Sequence, residues 1–249
     1  DLSFKSNNLI FNELGIKNNF NVYFKNLNSI GKNVSNYKSS HQIELQSLFE
    51  LNSELPLIKY DESTTETLIP RLSLKFNPGD MKNHSDAERK ININNIFDAN
   101  RIGVDDTFEA GGSLTLGINY KKENNFENSK YIEYNLATVF RDDDENNIPS
   151  QTTLNKKRSN IFGSINYNLS QYANMEYNFA LDNNFDNFEY NSISLGLSLN
   201  NFITKFNFIE EELQVGNTNI FENVSMYNLN ENNMVSFKTR RNREINLTE

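Results

Sequence analysis

Between Ser159 and Lys238 the chain repeats a unit of about ten alternating residues followed by a polar turn, and the turns themselves alternate between short and longer. Ile161, Gly163, Ile165, Tyr167 and Leu169 fall on one face of a strand, and Phe162, Ser164, Asn166 and Asn168 on the other. The next segments set Met175, Tyr177, Phe179 and Leu181 against Glu176, Asn178, Ala180 and Asp182, then Ile193, Leu195, Leu197 and Leu199 against Ser192, Ser194, Gly196 and Ser198. Reversals at Ser170 to Tyr172, Asn183 to Phe188, Asn200 to Asn201, Leu213 to Asn219 and Asn230 to Asn232 run short, long, short, long, short. Short turns therefore collect at one end of the strands and long ones at the other. A soluble meander has no reason to sort its turns this way, whereas a barrel inserted from one side of a bilayer does. The pattern predicts an all-β, antiparallel transmembrane β-barrel, with one face toward lipid and the other toward water.

Composition narrows the alternatives. The chain has 249 residues, room for roughly eleven or twelve barrel strands with their loops, a partial share of a larger barrel. Its mean hydropathy is −0.67, and no run approaches the ~18 consecutive apolar residues of a membrane helix. A barrel survives that test, because only alternate residues meet lipid. The 19 Phe and 11 Tyr suit a sheet surface and interfacial girdles. A net charge of −9 argues against a nucleic-acid partner, which would select a basic face. With no Cys there is no disulfide framework or thiolate metal site within the segment. The chain begins at Asp1 without an initiator Met and stops at Glu249 within what reads as a strand or its loop, so it is expected to be an internal fragment of a longer protein.

Earlier strands are expected near Leu2 to Phe11, Ile16 to Leu27 and Ile43 to Lys59, with reversals at Asn12 to Gly15 and Ser29 to Ser40. Thr67 to Phe76 is a clearer strand, in which Pro70 should leave the pairing weak, edge-like or bulged. After Asn77-Pro78-Gly79, a polar stretch to Lys90 and then Ile91 to Phe97 are expected to fold into the lumen or over the rim. Leu114, Leu116, Ile118 and Tyr120 make one face of the next strand, and Ile132, Tyr134, Leu136, Thr138 and Phe140 one face of its neighbour. Arg141 to Arg158 reads as the longest polar insert, an extracellular loop. No linker or change of composition divides residues 1–249, which read as part of a single barrel domain.

"ETLIPRLSLKFNPGDMKN" followed by "INNIFDANRIGVDDTFEAGGSLTLGINY" resembles the barrel of the lipopolysaccharide-assembly family LptD, also called organic solvent tolerance proteins. Pro70, Arg71, Pro78, Asn100, Arg101, Gly103, Asp105, Leu116 and Gly117 fall on the family pattern in order. The ending "MVSFKTRRNREINLTE" is similar to a late-barrel strand and turn, through Thr239, Arg240, Arg241, Asn242, Leu247, Thr248 and Glu249. Asp106 stands where the family usually carries Arg, and the spacing from Asn-Arg to Gly is one residue shorter. The resemblance implies a bacterial outer-membrane barrel that receives lipopolysaccharide from periplasmic bridge proteins through an N-terminal jellyroll domain outside this chain. It implies release into the outer leaflet through a lateral seam, and a lumen-plugging, LptE-like lipoprotein as partner.

No catalytic, cofactor-binding or metal-ligating set is expected. His41 and His84 stand in polar contexts without a nucleophile motif, which disfavours a lipid hydrolase. Asp142 to Glu145 lack the ligand spacing and turn Gly of a calcium loop, and read as a solvated acidic run. Lys156, Lys157 and Arg158 are candidate contacts for lipopolysaccharide phosphates, with strand-end anchoring as the competing role. For Arg240, Arg241 and Arg243, phosphate contact and a rim or lumen hydrogen-bond network compete. Asn100, Arg101, Gly103 and Asp105 are read as structural determinants, with an Arg-Asp pair pinning a segment to the lumen wall. A general porin or channel, or a soluble β-rich adhesin or carbohydrate-binding module, are the alternative functions.

Overall fold

The computed structural model describes residues 1–11, 14–31, 39–127 and 129–248. One antiparallel sheet holds all the strands: β1 (Leu2–Lys5), β2 (Leu9–Phe11), β3 (Ile16–Ser29), β4 (Gln42–Glu54), β5 (Leu57–Tyr60), β6 (Thr64–Asn77), β7 (Gly111–Asn124), β8 (Tyr131–Arg141), β9 (Ile161–Ser170), β10 (Ala173–Leu181), β11 (Phe188–Leu199), β12 (Phe202–Glu211), β13 (Thr218–Asn230), β14 (Asn233–Asn242) and β15 (Leu247–Thr248). The order is a plain meander, with β1 and β2 sharing one edge of β3, and β4 and β5 sharing one edge of β6. Among the described residues β1 and β15 are unpaired edges, so the sheet is an open part of a barrel.

The break between β4 and β5 has a local cause. Register places Leu55 opposite Pro70 and Pro56 opposite Ile69. The Pro70 carbonyl accepts from the Leu55 N–H at 3.1 Å, but Pro70 has no N–H to return the bond. On its other side β6 pairs β7 without interruption from Thr64 to Asn77. The weak pairing expected at Pro70 is thus confined to one flank. The reversals named by the pattern sort as predicted, residues 171–172, 200–201 and 231–232 at one end and 182–187 and 212–217 at the other, where 78–110 and 142–160 also lie; the β7–β8 connection, 125–130, joins the short-turn end although it is as long as 182–187. Parts of the two early reversals, residues 12–13 and 32–38, lie outside the described residues.

A single connection shows how the sheet bends. Residues 78–110, between β6 and β7, reach Lys25 on β3 through the Asp105 carbonyl and Glu211 on β12 through Lys90, at 2.5 and 2.7 Å. A flat sheet would separate those strands by eight spacings of ~4.8 Å, roughly 38 Å. The segment does not stretch over that distance, since it folds back so that a Cβ on Gly103 would fall 3.8 Å from Arg89 Cδ; the sheet therefore wraps around it, and the wrapped face is the inner one. The long insert is thus residues 78–110 rather than Arg141 to Arg158, and it folds inward.

The 142–160 loop also departs from the expected polar insert. Ile148 and Leu154 are fully buried, and the loop is stitched to the inner segment by the His84 N–H on the Asn147 carbonyl at 2.8 Å. Ile96, Ile102, Ile148 and Leu154 pack with Ala137 and Val139 of β8, Phe162 of β9 and Ala180 of β10. The apolar core therefore lies inside the curve, at the long-loop end. Along β8 the inner face changes from Glu133 and Asn135 to Ala137 and Val139 where that packing begins. The acidic run is solvent-exposed at Asp142, Asp143 and Asp144, as expected, and is also held by local contacts. An Asp142 carboxylate oxygen accepts from the Gly112 N–H at 2.9 Å, Asp144 accepts from the Lys157 N–H at 2.8 Å, and Asp143 pairs with the Lys157 ammonium at 3.1 Å.

The outer face carries exposed apolar side chains in the predicted alternation, among them Leu74, Leu116, Ile118, Leu136, Tyr167, Leu195 and Phe206. Toward β13 it admits polar groups, but these bond one another. Thr204 and Ser225 lie 2.9 Å apart, and the Asn223 amide donates to Thr204 at 3.0 Å. Mutual satisfaction lets such groups sit on a face turned to hydrocarbon.

Candidate functional site

The inner segment is fixed to the wall at several points, and the family-pattern residues cluster there. Asn100 and Gly103 close a turn, in which the Gly103 N–H donates to the Asn100 carbonyl at 3.1 Å and Gly103 takes φ +66°, a left-handed value that favours Gly. Arg101 leaves this turn and is buried. Its Nε and Nη2 donate to the two Glu109 carboxylate oxygens at 2.8 and 2.6 Å, and it also donates to Thr115 Oγ1 at 2.7 Å and Ser113 Oγ at 2.8 Å on β7. Arg141 of β8 donates to the same carboxylate and to the Ala110 carbonyl. Two guanidiniums and one carboxylate thus join the segment to two adjacent strands. The sequence pairing of Arg101 with Asp105 is corrected: Asp105 is exposed, and among the described residues it is its backbone carbonyl that is used, by Lys25.

Lys75 of β6 donates to the Asp98 carbonyl and lies 3.8 Å from Glu50 of β4, both side chains being buried. Gln46 of β4 accepts from the Phe108 N–H at 2.9 Å, and Asn77 donates to the Phe108 carbonyl at 3.3 Å. Phe97 is held between two motif residues. The Arg71 guanidinium lies 4.2 Å from its ring centroid, and a Cβ on Gly117 would fall 2.7 Å from its Cζ. Asp106, the departure from the pattern, faces Lys82 at 3.6 Å and the His84 ring at 2.8 Å.

Burial alone would raise the Glu109 pKa, but the Arg101 and Arg141 guanidiniums and Lys75 outweigh it and hold the carboxyl at about 2 against an ordinary 4.5. A depressed folded-state value contributes stability that is complete above the unfolded value and is lost as pH falls through the folded one. Protection from hydrogen exchange across residues 96–110, taken relative to the intrinsic rate at each pH, is therefore expected to hold down to pH near 4.5 and to fall toward pH 2. Unchanged protection over that window would mean that the carboxylate does not hold the segment.

Beyond the segment, toward the short-turn end, the wall is hydrophilic, with Asn and Ser side chains interspersed with Glu133 and Glu176. The Asn119 amide donates to Asn135 at 2.7 Å and Asn135 donates to Ser164 at 3.1 Å, and register continues that row through Asn178 to Ser192. A second row runs from Glu133 through Asn166, Glu176 and Ser194 to Asn207. Near β1 to β6 a cavity of about 580 Å³ opens beneath Phe97, bordered by Lys5, Lys17, Arg71, Asn19, Asn52 and Glu54. This is a surface of amide, hydroxyl and scattered ionic groups inside a curved, lipid-faced sheet.

A family described as "LptD: LPS transport system D" matches residues 19–236. The chain belongs to the LptD family. No curated protein matches it. LptD membership makes lipopolysaccharide transport its function class and an outer-membrane β-barrel its setting, and the open antiparallel sheet is the partial barrel that the periodicity predicts.

The LptD-pattern residues separate into three groups. Arg71, Arg101, Gly103 and Gly117 meet at the inner segment, with Asn100 and Asp105 in its backbone turns; Pro70 and Pro78 interrupt or end pairing of β6. Arg240, Arg241 and Asn242 lie away from it on β14. Arg240 is paired in register with Glu222, which accepts from Lys238 at 2.9 Å, and the Asn242 side chain accepts from the Glu244 N–H at 3.0 Å in the following turn. Sequence reasoning missed Glu109, Arg141, Lys75 and Phe97. Only Glu109 carried a signal, as a lone carboxylate between the apolar Phe108 and Ala110. Among the described residues, the His84 ring bonds only Asp106, with no nucleophilic hydroxyl in the pair.

Proposed function

We propose that residues 1–249 form part of one outer-membrane barrel domain that conducts lipopolysaccharide into the outer leaflet, saccharide and phosphates moving along the lumen while acyl chains leave sideways into lipid. The observation that carries this reading is the inner wall of β7 to β12 beside the anchored segment, where cross-strand rows of Asn and Ser side chains, with Glu133 and Glu176 among them, offer hydrogen bonds along the lumen. Such a wall can exchange hydrogen bonds with a moving sugar chain at little net cost, because each bond lost to one hydroxyl is replaced by the next. The long-loop end is taken to face outward, consistent with the sorting of turns in outer-membrane barrels. A lumen-filling lipoprotein and periplasmic bridge proteins are the partners in this scheme, the latter acting through a domain outside this chain. Lys156, Lys157 and Arg158, all exposed at the rim, are the candidate phosphate contacts.

Photo-crosslinking in cells that make the complete parent protein tests the reading. A probe at lumen-facing Asn166 is expected to capture lipopolysaccharide, and to lose it when supply from the inner membrane is blocked; a probe at outward Tyr167 serves as control. Capture of no lipopolysaccharide at Asn166 by a parent that resides in the outer membrane would favour a general channel. A water-soluble parent would overturn the barrel.

A further inference from the structure

The outer wall carries a feature that transport through the lumen does not use. Cross-strand register sets Phe20, Leu51, Leu74, Leu114 and Phe140 in one outward row. In the next row toward the long-loop end, Phe49 and Phe76 are followed by Gly112, which has no side chain. Around these rows lies a groove of about 540 Å³ that crosses the strands from β3 to β8, walled by Phe20, Leu51, Leu74, Phe76, Leu114 and Phe140, with the Asp142 carboxylate beside Gly112 at its long-loop end. Its size falls in the ~300–1,000 Å³ range of small-ligand sites.

At the rim of this groove stands a cation. A β-bridge pairs Phe140 with Arg158, so the two side chains share the outer face, and the Arg158 guanidinium lies 5.9 Å from the Phe140 ring centroid. Among the described residues, Arg158 has no carboxylate partner. The other charges nearby are accounted for. Lys157 is paired with Asp143, Arg141 turns inward to Glu109, and Asp142 caps the Gly112 N–H. Lys156 is exposed on the same loop.

We infer that the Gly112 groove and Arg158 form a binding site on the outer wall for a phosphorylated, acylated lipid, lipopolysaccharide of the outer leaflet, with an acyl chain in the groove and a phosphate on Arg158. An alkyl chain is the apolar ligand that suits a groove walled by Phe and Leu side chains on a lipid-facing sheet, and a guanidinium binds phosphate through paired charge-assisted hydrogen bonds. The site rests on the reading that the long-loop end faces outward. It narrows the three rim cations to one that is both unpaired and next to an apolar groove.

The test places a photoreactive residue at Leu114 of the full-length parent in its own membrane, with outward Ile193 and lumen Asn166 as separate probes. Lipopolysaccharide adducts at Leu114 are expected well above those at Ile193, to fall about tenfold in Arg158→Glu through loss of charge-assisted binding, and to persist in Arg158→Lys. Because Arg158 is exposed, retained folded mobility on a gel confirms that the variant barrels are intact. Equal labelling at Leu114 and Ile193, indifference to Arg158→Glu, or phospholipid adducts in place of lipopolysaccharide would each overturn the site. Labelling at Asn166 without labelling at Leu114 removes the outer site and leaves the conduit standing; the converse removes the conduit alone.

Discussion

Replacing Glu109 by Ala is expected to lower stability by about 3–5 kcal/mol, because it leaves the guanidiniums of Arg101 and Arg141 buried without an anion. Serine and threonine hydroxyls on β7 still accept from Arg101, but they carry no charge to offset the desolvation. Glu109→Gln keeps the shape and one acceptor oxygen, so it should lose nearly as much if charge is what matters. The expected signature is local. Hydrogen exchange should rise first in residues 96–110 and in the adjoining ends of β7 and β8, while β10 to β13 keep their protection. A loss below about 1 kcal/mol, the range of exposed pairs, would show that water reaches the cluster and that it does not anchor the segment.

The strand faces were legible because period two survives in a half-buried sheet: from β7 to β11 the predicted outward residues are the outward residues. Loop sorting was legible for the same reason, since Asn-rich turns punctuate the periodic runs. What lay in the loops was not. Asp105, Asp106 and Glu109 all follow Arg101 within eight residues, and periodicity cannot rank them because the segment has no repeating secondary structure. The turn closed by Gly103 sends the chain across β3 and β4 and then back to β7, which leaves Asp105 outside and returns Glu109 to Arg101. Ile148 and Leu154 were hidden in a similar way. They stand singly among polar residues, and only the curvature of the sheet gives them a shared interior.

That curvature makes Gly117 the second position where a small change should have a large effect. In Gly117→Val the new Cβ would lie 2.7 Å from Phe97 Cζ and 3.0 Å from the Leu136 carbonyl oxygen. The carbonyl belongs to the β7–β8 ladder and cannot retreat, so the ring must move. Displacing Phe97 separates it from Arg71 and from the core cluster that it packs against, and opens the neighbouring cavity toward the centre of the lumen. Overpacking of this kind costs about 1–3 kcal/mol. Coupling identifies the cause. In a Phe97→Ala background the obstructing ring is gone, and Gly117→Val should then cost clearly less than it does alone, as expected for residues in contact. Equal costs in the two backgrounds would mean that Gly117 answers to the strand itself and not to the segment. The expected non-additivity would instead tie a Gly on the wall, an Arg on the neighbouring strand and a Phe on the inner segment into one seat that holds the segment against the sheet.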